Sequence, residues 1–313
     1  MNILVVRTDK LGDFITALPA IYVLKKHNPQ NRIIVCISSI NAPLAQKCDF
    51  IDDIIIDEKE SSVFTLASKI KAKKIDASIT LFSNTRVAFA QFLARIPIRI
   101  APATKIAQIF YTKRVKQKRS EVKMAEFEYN LALTRELFAD IDLQYKQPLL
   151  DFKNDENFYE IFCLNYEIHK EVIAFHVGFG GSSDANLTLD EYEKLIKNLL
   201  IMKKYQVVMT FGPDEKELYE EMQNRFEGLD VVFYLSVDGL LYFAKLISHF
   251  KLFVSTSTGT YHLASLVGTP TMTFFGNTKF ASASRWKGVG DEKLQMNFML
   301  PNDSDERDET LKS

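Results

Sequence analysis

The chain has 313 residues, a formal net charge of −1 at pH 7 and 47% hydrophobic residues. This length suits two α/β domains of about 150 residues better than one core, and the balanced charge gives no global attraction to nucleic acid. The three cysteines (Cys36, Cys48 and Cys163) lack metal-ligand spacing, which indicates free thiols in a reducing compartment. The chain start has no signal-peptide pattern and no run reaches about 18 apolar residues, so we expect a cytoplasmic protein, with peripheral contact at the cytoplasmic face of the inner membrane left open.

The first half of the chain alternates predicted strands with predicted helices. A β-branched run starts at Asn2 and breaks at Arg7, and a helical pattern then runs from about Phe14 to Lys26. The further predicted strands are Arg32–Ser38, Asp53–Asp57, Ala77–Phe82 and Ile96–Ile100, with helices near 41–48, 62–72 and 85–94. This alternation favours a parallel sheet with right-handed crossovers.

A second alternating series follows a basic stretch, a predicted helix at 125–138 and a polar junction at 140–170. Its predicted strands are Val172–Val177, Gln206–Phe211, Val231–Tyr234, Leu252–Ser255 and Thr271–Phe275, with helices near 189–203, 214–226, 238–248 and 260–267. The two series predict an α/β protein with two Rossmann-like, doubly wound domains, residues 1–155 and 165–300, facing each other across a cleft. The polar tail, 301–313, is expected to be disordered.

Asp13 is the candidate catalytic residue in the loop after the first strand. It follows Gly12, which permits a tight turn, and stands at the start of a helical segment. One interpretation makes Asp13 a helix N-cap. The other makes it a carboxylate in the cleft that removes a proton from an acceptor hydroxyl. The loop has neither the Gly-x-Gly-x-x-Gly pattern of nicotinamide-binding proteins nor a phosphate-binding P-loop.

The loop after Leu252–Ser255 is a candidate anion site. It joins a strand to a helix through a hydroxyl-rich turn, and exposed backbone N–H groups at a helix start suit a pyrophosphate. The candidate donor contacts are Ser257, Thr258, Gly259, Thr260 and His262. Serine and threonine are also ordinary helix caps and a single histidine is often structural, so this alternative stays open.

Two further loops of the second domain carry candidate donor contacts. In the glycine-rich loop after Val172–Val177, Gly178, Gly180 and Ser182 allow close backbone approach to a ligand, although the composition equally suits a flexible surface linkage. After the next strand, Glu215 is placed to bind a ribose diol or simply to favour the first turn of its helix.

The basic stretch of the first domain has two interpretations. Its members are Lys113, Arg114, Lys116, Lys118, Arg119 and Lys123. Charge runs are usually solvated faces. The alternative is a patch that binds an acidic, phosphorylated lipid acceptor or a membrane surface.

Four loops in this order resemble glycosyltransferase family 9, the ADP-heptose:lipopolysaccharide heptosyltransferases. The run ILVVRTDKLGDFITALPAI is similar to the opening signature of that family, and FVSTSTGTYHLASLVGTPTMTFFGNT is similar to its C-terminal signature. His176-x-Gly178, Gly212-x-x-Glu215 and Arg285-Trp286 match weaker family positions. The resemblance covers the chain to about residue 290.

The resemblance implies a GT-B fold and an inverting, single-displacement transfer. It gives Asp13 the role of base and implies that Glu215 contacts the donor ribose. It also implies that Thr258, Gly259 and His262 contact the donor phosphate or sugar. It places the acceptor on the first domain, where we assign acceptor binding to Lys10, Arg86, Lys113 and Arg114. The expected partners are a nucleotide-sugar donor, with ADP-heptose as the first choice, and a lipid-linked core oligosaccharide. We expect no cofactor, and no metal because no acidic triad that could bind a divalent metal is evident.

Two departures from the family pattern concern the donor. Ser257 stands where the family usually has Asp, and Ala185-Asn186-Leu187 stands where it has a Lys-x-Trp element. These changes keep two alternatives open: a transferase that uses another donor such as a UDP-hexose, and a catalytically degenerate homologue that only binds.

Overall fold

The computed structural model divides into two compact units, Met1–Lys146 and Gln147–Ser313. It describes residues 1–104, 106–154, 156–178 and 187–301. The candidate residues Gly180 and Ser182 lie outside the described residues, as does the predicted tail beyond Pro301. Among the helices of the described residues, none is both long enough and apolar enough to cross a membrane.

The first unit is a doubly wound α/β unit. Its strands are β1 (Asn2–Arg7), β2 (Arg32–Ile37), β3 (Asp53–Ile56), β4 (Ala77–Thr80), β5 (Ile98–Pro102) and β6 (Lys113–Val115). Its α-helices are α1 (Leu11–Ile15), α2 (Leu18–His27), α3 (Ala42–Lys47), α4 (Val63–Ala72), α5 (Thr85–Leu93) and α6 (Glu126–Thr134). The six strands are all parallel, in the order β3-β2-β1-β4-β5-β6.

Both faces of this sheet are covered, which explains why β1 is apolar at nearly every position. Leu4 and Val6 pack on one face with residues of α4 and α5. Because side chains alternate along a strand, Ile3, Val5 and Arg7 point to the other face. Arg7 is therefore a charged residue that the strand carries into the interior, where its side chain is only 3% exposed.

The second unit repeats this architecture. Its strands are β7 (Val172–His176), β8 (Gln206–Phe211), β9 (Val231–Leu235), β10 (Leu252–Thr256), β11 (Thr271–Gly276) and β12 (Gln295–Leu300). Its α-helices are α7 (Glu156–Asn165), α8 (Leu189–Ile201), α9 (Lys216–Arg225), α10 (Leu240–Ser248), α11 (Gly259–Leu266) and α12 (Ala283–Trp286). The strands are parallel, in the order β12-β11-β10-β7-β8-β9, which is the arrangement of the first sheet.

The structure corrects several predicted elements. The helix predicted from Phe14 to Lys26 is two helices, because Pro19 has no N–H to donate to the carbonyl of Ile15 and the chain turns before α2. Strands β6 and β12 at the sheet edges were not predicted from the sequence, and neither was α7, which lies in the polar junction. The α/β class and the two doubly wound sheets are confirmed.

Candidate functional site

Each sheet has one point where the strand order reverses, and the candidate residues gather there. In the first unit the order reverses between β1 and β4, and in the second between β7 and β10. The loops that leave such neighbouring strands diverge to opposite sides of the sheet and leave a crevice at the carboxyl ends, where doubly wound proteins bind ligands. Asp13 follows β1, and Thr258 follows β10.

Asp13 is the third residue of α1, which begins at Leu11. The N-cap position belongs to Lys10, and no side chain caps it. The interpretation of Asp13 as a helix cap is therefore wrong. Gly12 lies inside the helix and is not among the glycines with positive φ, so the tight turn expected there is also absent from the described backbone.

The carboxylate of Asp13 binds Arg7 instead. The Nη2 group of Arg7 donates to Oδ1 of Asp13, its Nη1 group donates to Oε1 of Glu126 at 3.1 Å, and its Nε atom lies 3.0 Å from Oδ2 of Asp9. Glu126, the first residue of α6, is buried and also accepts from Arg119. One buried guanidinium thus holds three carboxylates, and we call Arg7, Asp9, Asp13 and Glu126 the Arg7 cluster.

The charges of the Arg7 cluster depend on one another. Burial by itself lowers the pKa of Arg7, but the carboxylates of Asp13, Glu126 and Asp9 outweigh burial and raise the pKa. Burial raises the pKa of Asp9, against the opposing effect of Arg7. The guanidinium therefore stays charged and holds Asp13 in one orientation while part of that carboxylate remains exposed. The ring of Phe82, which follows β4, has its centroid 5.5 Å from the guanidinium carbon.

The start of α11 has the features of an anion site. Thr258 is the N-cap residue, yet its side chain makes no capping bond within the described residues; its hydroxyl instead lies 2.8 Å from that of Thr260. The alternative that these hydroxyls merely cap the helix is therefore wrong for Thr258. The N–H groups that follow keep their positive ends directed out of the helix, where a phosphate can accept from them.

His262 lies in the first turn of α11 and is buried. Burial lowers its pKa to about 4, so the imidazole is neutral at physiological pH. Its Nδ1 atom has no hydrogen-bond partner among the described residues. The ring packs near Tyr261 and Trp286. A buried ring nitrogen without a partner is costly, and a ligand or water that pairs with it recovers that cost.

Gly178 and Glu215, which the sequence placed in separate loops, are in contact. The Oε2 atom of Glu215 accepts from the backbone N–H of Gly212 at 2.7 Å, and the carboxylate lies against Gly178. A Cβ atom at Gly178 would stand 1.9 Å from Oε1 of Glu215, so only glycine leaves the carboxylate room. Glu215 is the N-cap residue of α9 but does not cap it with its side chain.

His176, at the end of β7, borders the same carboxylate. Its Nε2 atom is 3.9 Å from Oε2 of Glu215, and its Nδ1 atom is 3.1 Å from the hydroxyl of Thr210 on the neighbouring strand. Burial lowers the pKa of His176, which Glu215 opposes. The loops that follow the adjacent strands β8, β7 and β10 carry Glu215, Gly178 and Thr258, so all three candidates lie at the same edge of the second sheet.

The candidate acceptor residues of the first unit are spread out. Arg86 binds Asp57 and the carbonyl oxygens of Glu58 and Ser61, so it also ties the start of α5 to the loop between β3 and α4. Lys113 pairs with Glu136 at 2.7 Å. Lys10 and Arg114 are exposed. Acceptor binding by these four residues stays a prediction.

Three residues of the Arg7 cluster, Arg7, Asp9 and Glu126, were not identified from the sequence. Arg7 was noted only as the point where the first strand breaks, and Glu126 lies more than a hundred residues further along the chain. The sequence does carry a signal for Arg7. It is a charged residue at the end of an apolar strand, at a position where the alternation of side chains directs it to the same buried face as Ile3 and Val5. No sequence signal connects Glu126 to it.

Known proteins resemble this chain over nearly its whole length. A sequence profile described as glycosyltransferase family 9 (heptosyltransferase) matches residues 63–310. A Haemophilus influenzae protein, named as a candidate glycosyltransferase with no donor or acceptor given, is 38% identical over 96% of this chain and 89% of its own. The lipooligosaccharide heptosyltransferase 2 of Campylobacter jejuni is 24% identical over 92% of this chain and 85% of its own.

The fold also matches a solved structure. The Escherichia coli ADP-heptose lipopolysaccharide heptosyltransferase II superposes with a TM-score of 0.79, covering 97% of this chain and 92% of that one at 20% identity. This likeness identifies the GT-B fold.

Proposed function

Because the chain belongs to glycosyltransferase family 9, we propose that this glycosyltransferase moves a heptose from ADP-heptose onto the core of a lipid-linked lipo-oligosaccharide, with inversion at the anomeric carbon. Family membership rests on the profile match and on the 38% identical relative. The heptose donor and the core acceptor rest on what the more distant relatives are named for. The second unit is proposed to bind the donor, and the first the acceptor.

The uncapped start of α11 is the observation that carries the donor assignment. A nucleotide diphosphate offers anionic oxygens to the N–H groups and hydroxyls at Thr258–Thr260, and the neutral His262 adds a hydrogen-bonding ring nitrogen. Glu215, whose carboxylate lies against Gly178, would accept hydrogen bonds from the ribose hydroxyls of the donor. As the sugar departs, charge grows on the diphosphate, and donors already in place stabilise it by a few kcal/mol each.

Asp13 is proposed as the base. The acceptor oxygen attacks the anomeric carbon from the face opposite the diphosphate, its proton passes to the Asp13 carboxylate, and the bond from the anomeric carbon to the diphosphate oxygen breaks. Arg7 contributes by fixing the orientation of the carboxylate. Arg7 is a positioning residue because it reaches the reaction through Asp13.

We also propose that transfer needs no divalent metal. Within the described part of the chain, no group of three His, Cys, Asp or Glu side chains is arranged to hold a metal ion. The carboxylates of Asp13, Asp9 and Glu126 already surround the cation of Arg7. Full activity in the presence of EDTA is the expected result, and activity that returns only when Mg²⁺ or Mn²⁺ is added back would refute the proposal.

A second donor is favoured by one residue. Ser257 stands where the family usually has Asp, so this chain lacks one carboxylate that would contact the donor. A transferase that uses UDP-hexose in the same fold would keep the α11 phosphate site and Asp13 but bind a different sugar.

Titration calorimetry with ADP and UDP separates these donors. The heptose proposal predicts that ADP binds more tightly than UDP, and tight binding of UDP without ADP would contradict it. A protein that binds core oligosaccharide but transfers sugar from no donor would support the degenerate homologue instead.

A further inference from the structure

The first unit contains a long segment without acidic residues. Between Asp76 and Glu121, residues 77–120 include nine lysines and arginines and no aspartate or glutamate, although the whole chain is nearly neutral. Four of these cations have acidic partners elsewhere in the first unit: Arg86, Lys113, Lys118 and Arg119. The segment therefore concentrates positive charge on one part of a balanced protein.

Apolar side chains stand exposed in the same segment. In the short 3₁₀ helix Ile106–Phe110, Ala107 is buried against the core with Tyr111, whereas Ile106 and Ile109 are 73% and 60% exposed. Residues three apart eclipse in a 3₁₀ helix, so the two isoleucines form one outward ridge. Phe92, at the end of α5, is 49% exposed, and its ring centroid is 5.8 Å from that of the half-buried Phe110.

Three arginines contact aromatic residues of the same segment. Arg99 lies over the ring of Phe92, with its guanidinium carbon 5.7 Å from the centroid, and its Nε donates to the carbonyl of Phe110 at 2.7 Å. The Nε of Arg114 donates to the carbonyl of Tyr111, and the backbone N–H of Arg95 donates to the carbonyl of Phe92. No carboxylate pairs with Arg95, Arg99 or Arg114 in the described parts of the chain.

We propose that this surface, formed by Phe92, Ile106 and Ile109 with Arg95, Arg99 and Arg114, docks the protein on an anionic lipid bilayer. We call it the Ile106 surface. Exposed apolar side chains and cations without a carboxylate partner match the two parts of such a bilayer, since the isoleucines enter the acyl boundary while the guanidiniums reach the phosphates. The assignment rests on charge and exposure and holds for any acceptor that the protein uses.

A second copy of this chain is a poorer occupant. A twofold contact through the Ile106 surface would bring six unpaired arginines together, and like charges desolvated at an interface oppose association. An anionic bilayer neutralises the same charges. The positive charge of the Ile106 surface therefore favours an anionic bilayer over a second copy of the chain.

Vesicle flotation tests the proposal without donor or acceptor. The full-length protein is mixed with vesicles of phosphatidylcholine alone or of phosphatidylcholine and phosphatidylglycerol in equal parts, at low and high salt. We expect binding only to the anionic vesicles, and weaker binding at high salt. The R95Q variant should lose about fivefold in partition, and I106S/I109S should lose about tenfold or more.

Matched controls distinguish docking from general effects. The I201S/M202S variant removes two exposed apolar side chains from the second unit and should bind vesicles as the parent protein does. The unfolding temperature of each variant and its transfer to a short water-soluble acceptor should stay unchanged, which separates this test from the test of the proposed function. Equal vesicle binding by I106S/I109S and the parent, no binding to anionic vesicles, or a dimer that I106S/I109S abolishes would each overturn the proposal.

Discussion

Arg7 fixes the position of Asp13 through a charge arrangement that few residues can replace. Its planar guanidinium binds the carboxylates of Asp9, Asp13 and Glu126 in different directions, while its side chain is almost fully buried. A buried cation of this kind is stable only with its partners, and each partner is held in turn. The orientation of Asp13, the proposed base, is therefore set by Arg7.

Asp13→Asn is predicted to reduce kcat by about 10²- to 10⁴-fold, which is the range that a general base contributes. The amide keeps the size of the carboxylate but does not accept the acceptor proton. The dissociation constant of ADP should not change, because ADP is assigned to the second unit. Product formation with saturating donor and calorimetry of ADP measure the two effects.

Asp9→Asn is the matched control, since it removes a carboxylate from the same guanidinium. Its loss in kcat is expected to stay below about tenfold, because a base role is assigned to Asp13 alone. Equal losses in the two variants would mean that the charge balance of the Arg7 cluster, and not a base, is what Asp13 provides.

Gly178→Ala is predicted to weaken donor binding through Glu215. The new Cβ atom would overlap the Glu215 carboxylate, which must then leave its position. Loss of a hydrogen bond between a charged group and the ribose corresponds to about a tenfold higher KM for the donor. Glu215→Ala should have a similar effect, and the double variant should be no worse than Glu215→Ala. Additive losses would show that Gly178 contacts the donor independently of Glu215.

At the residue scale, the sequence singled out candidate residues but not the side chains that contact them. Asp13 and Thr258 stand out because each follows a buried strand, and the end of a parallel strand is where such folds bind ligands. Arg7 and Glu126 are joined only by the tertiary fold, since residue 126 reaches β1 from α6. The contact between Gly178 and Glu215 is equally a product of neighbouring strands.

At the scale of elements, two helix starts in the second unit behave differently. Thr188 caps α8 in full: its hydroxyl accepts from the N–H of Glu191 at 3.2 Å, and the Glu191 carboxylate accepts from the N–H of Thr188 at 2.6 Å. Thr258 precedes α11 without any such bond among the described residues. One helix start serves stability, and the other is proposed to serve the ligand.

Replacing each threonine by valine tests this division of roles. Thr188→Val is predicted to lower the free energy of unfolding by about 1 kcal/mol and to leave ADP affinity unchanged. Thr258→Val should lower ADP affinity about tenfold with a smaller change in unfolding free energy. Chemical denaturation and calorimetry of both variants give the four values. A Thr258→Val variant with lower stability and unchanged affinity would assign α11 the ordinary role of a capped helix.

Elements with a buried face were predicted, and elements at the edges were not. Strands β7, β8 and β10 are apolar runs because helices cover both of their faces. The three residues of β6 lie in a basic stretch, and β12 has exposed residues between half-buried ones. Such edge strands form because the neighbouring strand offers free backbone groups, which leaves little trace in their own sequence.

At the scale of the whole molecule, the two buried histidines make stability depend on pH. Burial lowers the pKa of His262 from its ordinary value of 6.5 to about 4 and also lowers the pKa of His176. Below about pH 6.5 these histidines bind protons in the unfolded chain but stay neutral in the folded chain. Their contribution to the free energy of unfolding is therefore complete above pH 6.5 and is lost as the pH falls towards 4. His262 contributes up to about 1.4 kcal/mol per pH unit in this window.

The His262→Asn variant is predicted to lose less stability than the parent protein between pH 6.5 and pH 4. Urea unfolding across this range measures the slope, which is informative even if the variant is less stable at every pH. His169→Gln, at an exposed position, is the control and should keep the parent slope. An unchanged slope in His262→Asn would show that His262 is not neutral in the folded protein.

The repeated architecture of the two units was predictable, because each βα series has the same order of buried strands and amphipathic helices. The identity of the sugar was not. It depends on side chains such as Ser257, where one hydroxyl replaces the carboxylate usual in the family, and the physical properties of the fold are the same for either donor.

The most direct test of the central claim is the mass of the product. Purified protein is incubated with ADP-heptose, UDP-hexose and core oligosaccharide from a strain that lacks the gene, and the acceptor is analysed by mass spectrometry. Our account predicts a gain of one heptose residue, which Asp13→Asn greatly slows. A gain of one hexose would contradict the heptose donor, and an acceptor of unchanged mass would contradict the assignment of this chain as the transferase for that core.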